Sequence, residues 1–103
     1  AGRRIAVLGE MRELGTWAEA LHAQVGRHAV QCEVSVLVGI RGAARHLVDA
    51  ARGAGLSAGA AYFFEEPQAA GQFLKGIARP GDSILFKGSR GTRVELALEE
   101  FLR

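Results

Sequence analysis

The segment Lys87-Gly88-Ser89-Arg90-Gly91 has the residue types needed to bind an anion. Its glycines let the backbone approach a ligand closely, and a helix beginning directly after it would present free N–H groups. The Ser89 hydroxyl can hydrogen-bond to such a ligand, while Lys87 and Arg90 add positive charge. The alternative is an ordinary strand-to-helix turn that needs glycine for its geometry, and the spacing alone favours neither interpretation.

A second charged segment, Gly9–Gly15, contains Glu10, Arg12 and Glu13 among its seven residues. These side chains could contact a ligand, but a turn whose charges face solvent is the simpler interpretation. Neither segment contains Gly-x-x-x-x-Gly-Lys-Ser/Thr or Gly-x-Gly-x-x-Gly, which excludes the common mononucleotide and dinucleotide loops.

Other kinds of site find little support in the sequence. His22, His28 and His46 lack metal-ligand spacing, and we expect His22 to be a packed or hydrogen-bonded structural residue. The single cysteine, Cys32, excludes an internal disulfide and is expected to be a small buried residue near a helix end. No nucleophile, base and orienting group share a plausible arrangement, so we predict neither catalytic residues nor a metal site in this chain.

The composition is that of one small globular domain. The chain has 103 residues, of which 49% are hydrophobic, enough for a buried core. Its 13 Lys and Arg against 11 Asp and Glu give a net charge of +2 with the two signs interspersed, which argues against nucleic-acid binding. The apolar runs are far shorter than the roughly 20 residues that span a bilayer, so no membrane insertion is expected. Because the chain begins with Ala1 rather than Met, we expect it to be processed or cut from a longer protein.

Apolar runs and helical periodicities alternate along the chain and predict four strand–helix units. The predicted strands are residues 4–8, 34–38, 60–64 and 83–86, and the predicted helices cover about 16–30, 44–51, 67–77 and 94–101. This pattern predicts an α/β fold over residues 1–103 as a single domain. We expect a Rossmann-like three-layer α/β/α arrangement with a mainly parallel sheet of about four strands in the order 3-2-1-4. That order places the segments Gly9–Gly15 and Lys87–Gly91 side by side at the carboxyl edge of the sheet.

Two Thr-x-x-Glu sequences, Thr16–Glu19 and Thr92–Glu95, match the capping box that satisfies backbone N–H groups at a helix start. We therefore predict that Thr16 and Thr92 cap the first and last helices. Apolar residues four apart in the first helix are predicted to form its buried face, with the tryptophan as a core residue at its start. These residues are Trp17, Leu21, Val25 and Ala29.

Three segments resemble the Mur ligase family, in the branch that adds D-alanyl-D-alanine. Residues 5–15, IAVLGEMRELG, resemble VLGDMxELG; residues 21–26, LHAQVG, resemble LHxxVG; and residues 84–95, ILFKGSRGTRVE, resemble VLVKGSRGMRME. Their order and spacing also agree, so the likeness covers essentially the whole chain. Two residues depart from the family pattern: Glu10 stands where the family usually has Asp, and Thr92 replaces a common Met.

The resemblance implies the C-terminal domain of a cytoplasmic ligase of peptidoglycan synthesis that adds D-alanyl-D-alanine to UDP-N-acetylmuramoyl-tripeptide. In that family ATP phosphorylates the tripeptide carboxylate, the dipeptide amine attacks the acyl phosphate, and ADP and phosphate leave. ATP and Mg²⁺ are bound mainly by a central domain in cis, which this chain does not contain. We therefore expect the isolated chain to be inactive and to hold no cofactor tightly. It is also expected to lack the first strand and helix of the C-terminal domain, together with two upstream domains.

The resemblance also indicates which residues face the substrate. Lys87, Gly88, Ser89 and Arg90 would form the loop that faces the dipeptide and the closed active site, and residues 10–15 would form a second wall of the cleft. The residues implied in that wall are Glu10, Met11, Leu14 and Gly15. Two alternatives stay open: the loops only brace the domain hinge, or the chain is a free-standing Rossmann-like module that binds a phosphate or nucleotide at residues 87–91.

Overall fold

Strands and helices alternate along the chain in the computed structural model, which describes residues 2–103. The strands are β1 (Arg4–Gly9), β2 (Val36–Ile40), β3 (Ala61–Phe64) and β4 (Ser83–Lys87). The helices are α1 (Ala18–Gln31), α2 (Ala44–Gly53), α3 (Pro67–Ile77) and α4 (Glu95–Leu102). Short 3-10 turns at Gly15–Trp17, Ala58–Ala60 and Arg90–Thr92 precede α1, β3 and α4. The four predicted strand–helix units are confirmed, although β2 begins and ends two residues later than the predicted 34–38.

The strands form one parallel sheet in the order β3-β2-β1-β4, which is the predicted order. Leu8, near the end of β1, pairs in register with Gly39 of β2 on one side and with Lys87 of β4 on the other. Because parallel strands all end at the same edge of a sheet, the segments that follow β1 and β4 are neighbours.

The side chains of β1 alternate between two cores, one on each face of the sheet. Ile5 and Val7 pack in the core under α3 and α4, whereas Ala6 packs in the core under α1 and α2. A parallel sheet normally needs both faces covered in this way. The predicted inner face of α2 is confirmed. It consists of Ala44, Leu47, Val48 and Ala51.

Helices α1 and α2 are in close contact at Gly26. A Cβ on Gly26 would overlap the carbonyl oxygen of Leu47 in α2. Glycine at this position therefore sets how closely the two helices approach.

A Cβ on Gly76, near the end of α3, would meet no atom within 4 Å.

The start of α1 differs from the sequence prediction. A 3-10 turn over Gly15–Trp17 comes first, and α1 begins at Ala18 without a side-chain cap, so the capping box predicted at Thr16 is wrong. Trp17 is 68% exposed, and its predicted core role is also wrong. The buried face of α1 is rotated by one residue from the predicted one, although Ala29 belongs to both. It consists of His22, Gly26 and Ala29.

The predicted cap of α4 is wrong as well. Arg93 adopts a left-handed conformation, with φ of 58°, and α4 begins only at Glu95. The Thr92 side chain is buried and bonds to a distant loop instead of capping the helix. Cys32, predicted to be buried, is exposed, with its Sγ 3.4 Å from Nε2 of His28.

The turn before β4 is joined to the start of β1 by an ion pair. Arg3 and Asp82 approach to 2.8 Å, and the Asp82 side chain is only 4% exposed. The same carboxylate accepts hydrogen bonds from the backbone N–H groups of Arg3 and Arg79. The Arg3 guanidinium also donates to the carbonyl of Ile77, at 2.6 Å. These bonds fix the entry of β4 into the sheet.

On one face of the sheet, no helix covers β4 at Leu85. We call Leu85 and the groove beside it the outer β4 face. Ile84 and Phe86 pack against the core under α3 and α4, but Leu85, on the opposite side of the strand, is 56% exposed. A groove of about 380 Å³ lies beside Leu85, with Cys32 and Val34 among its lining residues. Because β4 is also an edge strand of the sheet, its outer backbone groups are free to pair with another strand.

Candidate functional site

The candidate site lies where β1 and β4 end. We call Glu10–Leu14 the β1 loop and Gly88–Gly91 the β4 loop. The backbone N–H of Arg12 donates to the Ser89 hydroxyl oxygen at 3.1 Å, which links the two loops directly. The Arg12 guanidinium lies beside Gly91, with Nη1 3.2 Å from the position that a Cβ would take there. The two segments singled out in the sequence therefore form one surface.

Glycine is required where the two strands leave the sheet. A Cβ on Gly88 would lie 2.6 Å from Cγ2 of Val94 and 3.1 Å from the Cα of Gly9. A Cβ on Gly9 would also overlap Val94 and would meet the Thr92 side chain at 2.7 Å. The close approach of the two strand ends thus explains both glycines without any ligand.

A pocket of about 310 Å³ opens beneath the two loops. It is mostly apolar, with the Lys87 and Ser89 side chains as its polar members. The lining residues are Leu8, Gly9, Met11, Val25, Leu47, Lys87, Gly88 and Ser89. Of the eight site residues named from the sequence, this pocket brings four together: Met11, Lys87, Gly88 and Ser89.

The other four predicted site residues lie outside the pocket lining. Glu10 is half-buried and turns towards α2, where its Oε2 accepts a hydrogen bond from the N–H of Ala43 at 2.8 Å. Leu14 is half-buried, whereas Gly15 is exposed with a φ of +60°. Arg90 is exposed in the turn that follows Ser89. Glu10 therefore stabilises the start of α2, where a carboxylate complements the helix dipole.

Three cations belong to the segments that end β1 and β4, and Lys87 among them lines the pocket. Arg12, Lys87 and Arg90 are exposed, and within residues 2–103 none of them forms a salt bridge with a carboxylate. Exposed guanidinium and ammonium groups without a partner suit the carboxylate or phosphate of a ligand. The local electrostatics therefore favour an anionic group at this edge of the sheet.

Two residues that the sequence did not mark as site residues hold the loops in place. Thr92 donates its hydroxyl to the carbonyl oxygen of Glu10 at 2.6 Å. His22 accepts a hydrogen bond from the N–H of Met11 through Nε2, at 2.9 Å. The prediction of a hydrogen-bonded structural histidine is thus confirmed. The signal for His22 was its place in LHAQVG, but nothing in that segment names Met11 as the partner.

No group of three or more His, Cys, Asp or Glu side chains comes together within residues 2–103. In the same residues no helix is long and apolar enough to cross a membrane.

Comparison with known proteins identifies the family. Residues 1–90 match the family described as "Mur ligase, glutamate ligase domain", which includes both strand ends and the β4 loop up to Arg90. The chain belongs to this family.

Relatives of this Mur ligase domain are enzymes several times its length. Over 92 residues it is 39% identical to the UDP-N-acetylmuramoyl-tripeptide–D-alanyl-D-alanine ligase of Mycobacterium leprae (strain TN), covering 86% of this chain and 18% of that enzyme. The Mur ligase domain thus spans about a fifth of the length of the curated relative it matches.

Solved structures agree with the fold. The MurF ligase of Thermotoga maritima in complex with ADP superposes with a TM-score of 0.77 at 25% identity, over 98% of this chain and 22% of that one. MurF from Acinetobacter baumannii gives a TM-score of 0.81 at 24% identity, over 100% of this chain and 23% of that one. The Mur ligase domain shares its Rossmann-like α/β architecture with both.

Proposed function

We propose that the chain is part of the C-terminal domain of a ligase that adds D-alanyl-D-alanine to UDP-N-acetylmuramoyl-tripeptide. The observation that supports the proposal is the hydrogen-bonded pair of loops at the ends of β1 and β4 with a pocket between them. Arg12, Lys87 and Arg90 in these segments form no salt bridge within residues 2–103. The relative at 39% identity carries that activity in its name. A free-standing module that binds a phosphate or nucleotide is not favoured, because the family and its relatives are ligases.

The proposed reaction of the whole enzyme is acyl transfer driven by ATP. The γ-phosphoryl group of ATP passes to the terminal carboxylate of the tripeptide and gives an acyl phosphate and ADP. The amine of the dipeptide attacks the acyl carbon, a peptide bond forms, and phosphate leaves with the bonding electrons. We propose that the rest of the enzyme, in cis, holds Mg²⁺ and ATP. The sequence contains neither of the two common glycine-rich nucleotide loops, and within residues 2–103 no group of three or more His, Cys, Asp or Glu side chains comes together.

The role that we propose for this domain is to bind the incoming dipeptide and to help close the active site. The dipeptide has one carboxylate and two methyl groups. Lys87 and Arg90 would attract its carboxylate, the Ser89 hydroxyl would hydrogen-bond to it, and the apolar wall of the pocket would receive a methyl group. Met11 also lines the pocket and would contact the peptide from the β1 loop.

An amide NMR titration of the 103-residue chain with millimolar D-alanyl-D-alanine tests this role. We expect shifts confined to residues 10–15 and 87–91, and none with L-alanyl-L-alanine. Equal shifts with both dipeptides would mean that the surface binds carboxylates without recognising the substrate. Shifts with inorganic phosphate or a nucleotide alone would support the binding-module alternative instead.

Enzyme kinetics on the longer ligase give the second test. Arg90→Ala should lower kcat/KM for the dipeptide roughly 10- to 100-fold, the effect of losing one hydrogen bond between charged groups. Arg27→Ala is the matched control, because Arg27 is exposed on α1, away from the pocket. Equal kinetics for the two variants would contradict a role of Arg90 in substrate binding.

We also propose that a further strand and helix precede β1 in the longer enzyme and cover the outer β4 face. The free edge of β4, the exposure of Leu85 and the groove beside it support this placement. Leu85→Glu should then leave the melting temperature of the 103-residue chain nearly unchanged and lower that of the longer enzyme. Equal melting temperatures for wild type and variant in the longer enzyme would show that the face stays uncovered.

A further inference from the structure

The His22 side chain of α1 is hydrogen-bonded to the β1 loop. This side chain is fully buried, and within residues 2–103 it shares that property among polar side chains with Thr92 alone. Its Nε2 lies 2.9 Å from the backbone nitrogen of Met11. Its Nδ1 lies 2.7 Å from the carbonyl oxygen of Ala18, one turn earlier in α1. Both ring nitrogens are therefore used.

The two partners determine the protonation of the ring. The Met11 N–H can only donate, so Nε2 must be the nitrogen with the free lone pair. The Ala18 carbonyl oxygen can only accept, so Nδ1 must carry the proton. The two contacts thus require one tautomer, with the proton on Nδ1 and the lone pair on Nε2.

The bond to Met11 completes a set of restraints on three consecutive residues. Glu10 is held by Thr92 at its carbonyl oxygen and by Ala43 at its side chain. The N–H of Arg12 is held by Ser89. His22 holds the residue between them, so the β1 loop is fixed against α1, α2 and the β4 loop together.

We propose that His22 is a positioning residue for the candidate site. By accepting a hydrogen bond from the Met11 N–H, it fixes the position of the β1 loop relative to Ser89. It thereby fixes the shape of the pocket, because Met11 and Ser89 both line it. The identity of the ligand rests on the proposed function, whereas the contact between His22 and Met11 does not.

Two amide replacements separate the positioning role from simple packing. The Gln side chain places a carbonyl oxygen at about the reach of Nε2, whereas Asn reaches only as far as Nδ1. His22→Gln can therefore still accept from Met11, and His22→Asn cannot. His28→Asn is the matched control, because His28 lies on the exposed side of the same helix.

Hydrogen exchange at individual amides is the readout. We expect His22→Asn to speed exchange at Met11 and Arg12 by about fivefold or more, with the β2 amides unchanged. His22→Gln should restore slow exchange at both residues, and His28→Asn should change neither. Equal exchange rates at Met11 in the Gln and Asn variants would overturn the proposal.

The wild-type chain supplies a test that needs no variant. The ring nitrogen NMR signals of His22 at neutral pH should show a protonated Nδ1 and an unprotonated Nε2. The opposite tautomer would overturn the proposal even if His22→Asn fails to fold.

A dipeptide titration of the same variants distinguishes the two proposals. If His22→Gln binds D-alanyl-D-alanine as wild type does and His22→Asn binds it several-fold more weakly, both stand. Suppose that the dipeptide causes no NMR shifts in the wild-type chain while exchange at Met11 is fast in His22→Asn and slow in His22→Gln. That result would contradict the proposed ligand and support the positioning role.

Discussion

The Thr92 hydroxyl donates a hydrogen bond of 2.6 Å to the carbonyl oxygen of Glu10, a residue 82 positions away. This bond joins the turn after β4 to the β1 loop beside the candidate pocket. The Thr92 side chain is fully buried, so its hydroxyl cannot exchange this bond for one with water. The relative position of the two loops thus depends on a side chain that the sequence had suggested as a helix cap.

Thr92→Val should destabilise the fold. Valine has nearly the same shape but lacks the hydroxyl, so the Glu10 carbonyl loses its partner in the interior. The free energy of unfolding, measured by urea denaturation, should fall by about 1–3 kcal/mol. Thr16→Val is the control, because Thr16 is exposed and does not cap α1; its effect should stay within about 0.5 kcal/mol. Similar losses for the two variants would mean that the hydroxyl of Thr92 contributes nothing specific.

Glu10→Gln tests the charge at the start of α2. Glutamine can still accept from the N–H of Ala43 but lacks the negative charge that complements the helix dipole. We expect a loss of about 0.3–1 kcal/mol at low salt, and a smaller loss in about 1 M NaCl because salt screens the charge. Glu13→Gln, at an exposed residue of the same loop, should change stability less. A loss that does not depend on salt would contradict the electrostatic explanation.

Alanine at two helical glycines should have opposite effects. In Gly26→Ala the new methyl group would overlap the Leu47 carbonyl, which should cost about 1–3 kcal/mol by forcing α1 and α2 apart. In Gly76→Ala the methyl group meets no atom within 4 Å and restricts the unfolded chain, so stability should rise by up to about 1 kcal/mol. Thermal unfolding followed by circular dichroism measures both changes. Stabilisation by Gly26→Ala would show that the helices do not depend on this close approach.

Acid should weaken the link between Arg3 and Asp82. The hydrogen bond from the Arg3 side chain, followed by that from the backbone N–H of Arg79, holds the pKa of the Asp82 carboxyl well below its ordinary value. The carboxylate therefore stabilises the folded state above the unfolded-state pKa of about 4, and this stabilisation is lost as the pH falls below that value. Stability measured from pH 6 down to pH 2 should fall more steeply in wild type than in Asp82→Asn. The control Asp49→Asn, at an exposed residue, should lose stability with falling pH as wild type does. If Asp82→Asn also loses stability as steeply as wild type, the pair of Arg3 and Asp82 does not cause the pH dependence.

Much of the fold could be predicted because its signals are local and repeated. The apolar run of β1, the helical face of α2 and Pro67 at the first position of α3 each depend on a few neighbouring residues. The strand order follows from the alternation of strands and helices, and it places the β1 and β4 loops together. That Met11 and Ser89 lie close together could therefore be predicted from the sequence.

The details that could not be predicted depend on partners far along the chain. Thr92 matches a capping pattern, but the Glu10 carbonyl competes successfully for its hydroxyl. Glu10 bonds to the N–H of Ala43 at the start of α2, 33 positions further along the chain. Neither of these partners is visible in the local sequence.

The central place of β1 has a consequence for the order of events during synthesis. Arg3 and Asp82, which precede β1 and β4, are 79 positions apart. At about 5–20 residues per second, the ribosome therefore makes β1 several seconds before β4, its neighbour on the other side from β2. Until β4 is made, β1 can pair with β2 alone, once β2 has been synthesised, and its other edge stays exposed to the nascent chains around it. A newly made copy is therefore most vulnerable to aggregation until its last strand emerges.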